Sequence, residues 1–200
     1  MRRLFLVLAL LLAGCAPSTV DSASPVASCL PAAPSGSPAS PGGRAATRIP
    51  DLTLDCFSDH SGSAASGAAP RPGAVAGGGR VRLTALHRPA IVNLWASWCG
   101  PCRTELPAFQ RFADTVGDRV LVLGVDTGDT RDAGSGFMQD AKVAFPTLFD
   151  ARSTLLSGVG RSALPVTLFV DAEGGIRYLY NDKALDESAL AALAREHLGL

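Results

Sequence analysis

A chain of 200 residues with 18 basic and 18 acidic side chains and 47% hydrophobic content fits one domain with appendages, since two cores would each be small at this length. Zero net charge supplies no basic face for nucleic acid and excludes an acidic disordered tail. Five cysteines are too few to build a disulfide scaffold, so a hydrophobic core must carry the fold.

The chain opens with Arg2 and Arg3, followed by an unbroken apolar run over residues 4–13. That run is too short to cross a hydrocarbon core, which needs about 20 helical residues, and it has the size of a signal-peptide apolar region. It ends in Leu12-Ala13-Gly14-Cys15, which resembles the bacterial lipobox. The resemblance implies cleavage after Gly14 and a diacylglycerol on the Cys15 thiol. Residues 1–14 are then a lipoprotein signal peptide, and the protein sits on the extracytoplasmic face of the cell membrane. Residues 15–47 are mostly Ala, Ser, Pro and Gly. They cannot bury enough surface to offset their ordering entropy, so they read as a flexible stalk with a reach of about 30 Å.

Residues 48–200 form the expected domain. Leu52 and Leu54 alternate within a short strand over 49–57. A second sparse stretch, 58–79, reads as a loop inside the domain. Val81 and Leu83 alternate as in an edge strand, and residues 90–95 form a buried strand. Leu106, Phe109, Phe112, Ala113 and Val116 fall at helical spacing over 101–116. A second buried strand is expected at 120–125 and a weaker helix at 133–143. Strands at 166–170 and 176–180, separated by the turn at 171–175, form an antiparallel hairpin. A helix over 187–198 closes the chain, with Asp186 as its N-cap and Gly199 past its end. Strands alternating with helices and ending in a hairpin and a helix specify an α/β domain with a central mixed β-sheet flanked by helices.

The chemistry is concentrated at Cys99-Gly100-Pro101-Cys102, directly after a buried strand and at the start of a helix. Unpaired N–H groups and the helix dipole at that end stabilise an anion. The Cys99 thiol is therefore activated as a nucleophile, and Cys102, one turn along, resolves the mixed disulfide it forms. Pro101 lies in the first turn, where its missing N–H costs least. A zinc site would need a second Cys or His pair, and His60, His87 and His197 are scattered. A c-type haem site would need His after the second cysteine, where Arg103 stands. No cofactor is implied.

The segment 92–107, with Asn93-Leu94-Trp95-Ala96-Ser97-Trp98, the Cys-Gly-Pro-Cys motif and Glu105-Leu106-Pro107, resembles the thioredoxin superfamily. Within it the segment is most similar to the TlpA/ResA-like extracytoplasmic thiol–disulfide oxidoreductases related to cytochrome c maturation. The resemblance covers about residues 48–200 and implies a thioredoxin-like fold. It also implies two further site residues. Glu105, three residues after Cys102, matches a glutamate that modulates the thiols in that group; its physical task would be proton exchange with the thiol pair, against the plainer role of a favourable first-turn charge. Asn93 stands where cytoplasmic thioredoxin has a buried aspartate. Pro165 matches the superfamily's cis-proline facing the disulfide, and Phe145-Pro146 is its rival. Val166-Thr167 after Pro165 departs mildly from the family's usual pair.

Cys29 and Cys56 remain. In an oxidising compartment two spare cysteines usually pair, and this closure would stabilise by about 3.5 kcal/mol on chain-entropy grounds; two independent thiols or intermolecular bridges are the alternative. Strong oxidants of the superfamily carry a His between the active cysteines, and Gly100-Pro101 offers none. A reductant is therefore expected. Its partners would be exported proteins with cysteine pairs, such as apocytochrome c, and a membrane thiol transporter as electron donor. The alternative is a thiol oxidant that forms disulfides in secreted proteins. A thiol peroxidase would need Thr or Ser at position 96, which is Ala, and a thioredoxin-fold copper carrier would need a wider cysteine spacing.

Overall fold

A computed structural model of the chain describes residues 29–31, 47–57 and 79–200. The expected signal peptide, Cys15 and most of the stalk and of the 58–79 loop lie outside the described residues. In chain order the elements are β1 (Thr47–Arg48), β2 (Thr53–Cys56), β3 (Arg80–Arg82), β4 (Ala90–Trp95), α1 (Gly100–Val116), β5 (Leu121–Thr127) and α2 (Arg131–Asp140). They continue with β6 (Thr147–Asp150), α3 (Thr154–Gly158), β7 (Val166–Val170), β8 (Gly175–Tyr180) and α4 (Glu187–Leu198).

Among the described residues the strands form one mixed sheet in the order β1-β8-β7-β4-β5-β6-β2-β3. β4 is central and buried along its whole length. It runs parallel to β5 and antiparallel to β7. Because side chains alternate across a strand, Ile91, Asn93 and Trp95 point to one face while Val92 and Leu94 point to the other. The first face is covered by α1 and α4 and holds Trp95, Leu106, Phe109, Phe112, Phe169 and Leu190. The second holds Val92, Leu94, Leu123, Leu148, Leu155 and Leu168, with α3 packed over it. Helices on both faces of a mixed sheet are the architecture the resemblance implied.

The local signals act as expected at several ends. Asp186 accepts from the Ala189 N–H at 2.8 Å, and Gly199 leaves α4 with φ 70°. Pro107 lies inside α1, where it removes one intrahelical bond.

Several elements differ from expectation. β6 and α3 were not anticipated. β6 has only four residues, too few for periodicity to separate from a loop. α3 starts after Ser153, whose φ is 54°, and is held by Asp150, which accepts from the Thr154 and Leu155 N–H groups at 3.0 and 2.8 Å. β5 runs on to Thr127, past the apolar signal. α2 starts two residues and ends three residues early, with Thr130 accepting from the Ala133 N–H as its N-cap. Leu83 falls in a short 3-10 turn rather than in β3.

Two parts of the expected stalk join the domain. Thr47 pairs with Ile176 at the sheet edge. Cys29 is disulfide-bonded to Cys56, and Cys29 and Leu30 pack against the second cluster.

Candidate functional site

β4 delivers the chain into the turn 96–99, and α1 begins at Gly100. Cys99 is the N-cap of α1, and its Sγ accepts from the Cys102 N–H at 3.3 Å. Cys99 and Cys102 are joined as a disulfide. Cys102 is fully buried, whereas Cys99 retains 5% exposure and follows Trp98, which is 65% exposed. The sulfur that can meet a partner is therefore the one at the helix N-terminus, where a thiolate gains from the unpaired N–H groups and the dipole.

The turn is pinned at several points. The Ser97 N–H donates to Asp129 Oδ2 at 2.6 Å, and Trp98 Nε1 donates to the Gly128 carbonyl at 3.0 Å. Arg103 Nη1 donates to the Ser97 carbonyl at 3.2 Å, and its guanidinium lies 4.6 Å over the Phe137 ring. The β5–α2 connection thus holds the outer side of the redox turn, a role for Asp129 that the sequence did not suggest.

Glu105 lies one turn beyond Cys102 on α1, with 1% exposure. Oε1 accepts from Asn93 Nδ2 at 2.7 Å and Oε2 from the Leu185 N–H at 3.0 Å. Burial pushes its pKa up to about 7, against the opposing pull of those two donors. A buried carboxyl is not a solvated first-turn charge, so the plainer of the two expectations does not hold. Asn93 also donates to Thr167 Oγ1 at 3.2 Å, which ties Glu105 through Asn93 to β7.

Leu164–Pro165 is the cis peptide bond found among the described residues, at the residue before β7. The register of β7 on β4 sets Val166 against Leu94, so Pro165 lies beside Trp95 at the mouth of the redox turn. The rival Pro146 precedes β6 on the far side of β5. Cys99 and Cys102 thus follow β4 at the end where Pro165 precedes β7, and Glu105 lies one turn along α1, bonded to Asn93 of β4. Cys29 and Cys56 are at the second cluster and take no part in this site.

Asp126, at the end of β5, was not anticipated. It is fully buried, and neither oxygen reaches a nitrogen or hydroxyl donor. Burial first, then the neighbouring Asp129 carboxyl, raises its pKa to about 8. Gly134 of α2 faces it, and a Cβ there would lie 2.3 Å from Asp126 Oδ2. Hydropathy alone could not flag a single acid at the end of an apolar strand. Among the described residues no group of three or more His, Cys, Asp or Glu side chains could hold a metal ion, and no helix is long and apolar enough to cross a membrane.

The AhpC/TSA family model matches residues 48–179. A thiol:disulfide interchange protein DsbE homolog of Paracoccus denitrificans is 37% identical over 103 residues, 49% of this chain and 55% of that protein. The thiol-disulfide oxidoreductase ResA of Bacillus subtilis is 29% identical over 101 residues, 50% of this chain and 56% of that one. The match thus spans little more than half the length of either relative. A secreted Mycobacterium tuberculosis disulfide oxidoreductase homologous to E. coli DsbE superposes with a TM-score of 0.56 at 19% identity, covering 71% of this chain and 92% of that one. At that identity the likeness establishes the thioredoxin-like fold.

Proposed function

The chain belongs to the AhpC/TSA family, and on that premise we propose that it is a thiol–disulfide oxidoreductase that reduces cysteine pairs in exported proteins. The observation that carries this reading is Cys99 at the N-terminus of α1, the more exposed partner of a disulfide whose other half is sealed inside the helix.

In the reduced protein the Cys99 thiolate attacks one sulfur of a substrate disulfide. The substrate S–S bond breaks, a Cys99–substrate mixed disulfide forms, and the first substrate sulfur leaves as a thiolate that takes up a proton from solvent. Cys102 then gives its proton to the Glu105 carboxylate, and its thiolate attacks Cys99 Sγ. The second substrate sulfur leaves with the proton returned from that site. Two electrons and two protons have passed to the substrate, and Cys99–Cys102 is a disulfide again. A carboxyl with pKa about 7 is matched to this exchange near neutral pH.

Restoring the dithiol needs an external thiol donor. The reading assigns that to a membrane thiol transporter, with apocytochrome c awaiting haem as an example of a substrate. It places the protein on the extracytoplasmic face, held by a lipid on Cys15 and lifted by the stalk. The absence of a cation between the cysteines supports reduction over oxidation, because only Gly100 and Pro101 neighbour the thiolate there.

Two experiments test the reading. Cys102→Ser should accumulate mixed disulfides with protein substrates, whereas Cys99→Ser should accumulate none and should not reduce insulin. Trapping by the opposite variant would reverse the roles. Cys15→Ser should move the protein from the detergent phase to the aqueous phase, and unchanged partitioning would remove the anchor.

A further inference from the structure

The β7–β8 ladder ends with Thr167 opposite Tyr180. Two residues before Thr167, Pro165 has no N–H to offer, and a side chain takes over. Asn181 Nδ2 donates to the Pro165 carbonyl at 2.7 Å and to the Ala163 carbonyl at 3.2 Å. Both amide hydrogens of Asn181 are thereby used, on two carbonyls that straddle Leu164. Leu164 itself makes no backbone hydrogen bond among the described residues. Its unpaired N–H and C=O lie one residue from Pro165, beside the end of β4 where the chain enters the redox turn. Unpaired backbone next to a reactive disulfide is a place where a polypeptide can add main-chain hydrogen bonds. The connection that carries Asn181 also carries Leu185, whose N–H donates to Glu105. One short segment therefore touches both the loop before β7 and the buried carboxyl.

We propose that Asn181 is a positioning residue that fixes the 163–165 loop and so presents the Leu164 backbone to polypeptide disulfides. The proposal rests on the oxidoreductase reading above and adds a basis for preferring protein substrates over small ones. An amide is required at this position. A carboxylate would set an oxygen against two carbonyl oxygens, and alanine would leave both carbonyls to water and the loop without its brace.

The test compares Asn181→Asp and Asn181→Ala with the parent on two substrates, insulin and glutathione disulfide, alongside the Cys99–Cys102 reduction potential. A protein substrate needs the Leu164 backbone, whereas a small disulfide needs only access to Cys99. The ratio of kcat/KM for insulin to kcat/KM for glutathione disulfide should fall about tenfold in both variants, the size expected from losing one to two ordering hydrogen bonds. The fall should lie in KM, with the potential unmoved. Asn181→Ala brings no charge and keeps the test open if Asn181→Asp does not fold. A parallel loss on both substrates, a loss confined to kcat, or an unchanged ratio would overturn the role of Asn181. A parent protein that reduced neither substrate would instead remove the oxidoreductase reading itself.

Discussion

Glu105 has an ordinary carboxyl pKa of 4.5 in the unfolded chain and about 7 in the fold. Its neutral form is therefore the one the fold prefers. The stabilisation is complete below pH 4.5 and is lost as pH rises through 7. On the proposed mechanism the same titration governs resolution with the opposite sign, because only the carboxylate can accept the Cys102 proton. Resolution of the mixed disulfide should rise with pH through an inflection near 7, and Glu105→Gln should abolish that inflection and slow resolution about a hundredfold at neutral pH. Single-turnover resolution rates and urea unfolding, each measured from pH 4 to 9, check both halves. An inflection that survives in Glu105→Gln would assign the proton to another group. The family resemblance singled out Glu105, three residues after Cys102, and could not tell a buried carboxyl from a solvated one. Burial is set by Asn93 on β4 and Leu185 before α4, partners 12 and 80 residues away along the chain.

At the scale of elements, α2 shows how a weak helix is shaped by one neighbour. It contains Gly134 and Gly136, each costing roughly 1 kcal/mol relative to alanine in a helix interior. A Cβ at Gly136 would meet nothing within 4 Å, whereas one at Gly134 would lie 2.3 Å from Asp126 Oδ2 and 3.1 Å from Phe57 Cζ. Gly136→Ala should therefore stabilise the protein by about 1 kcal/mol. Gly134→Ala should destabilise it by about 1–3 kcal/mol through overpacking, despite the same gain in propensity. Denaturant midpoints of the two variants decide the matter, and equal stabilisation would mean that Asp126 and α2 do not pack as described. The long periodic elements β4, α1, β7, β8 and α4 were legible because each carries a full stretch of apolar spacing. β6 and α3 were not, because four or five residues hold too little pattern; β6 is held by pairing with β5 and β2, and α3 by the Asp150 carboxylate that ends β6. The pairing of Thr47 with Ile176 was hidden for the same reason: an exposed two-residue strand has no signature of its own.

Over the whole molecule, the redox turn sits at one end of the central strands, while the Cys29–Cys56 link lies in the second cluster. That link closes a separation of 27 residues and is worth about 3.5 kcal/mol on chain-entropy grounds. It also binds Cys29, which falls within the expected stalk, to the domain. On the proposed reading the two cysteine pairs have separate tasks, one exchanging electrons and one joining Cys29 to β2. Which way the electrons run depends on the relative stability of dithiol and disulfide at Cys99–Cys102. No cationic residue stands between the two cysteines in the sequence, and Cys99 Sγ accepts from the Cys102 N–H at the helix N-terminus. The measurement that decides is the equilibrium reduction potential of the Cys99–Cys102 pair against glutathione or dithiothreitol buffers. The account predicts a value near that of thioredoxin, roughly −270 mV, and a value near roughly −120 mV, that of a strong oxidant, would contradict it and make the protein a donor of disulfides.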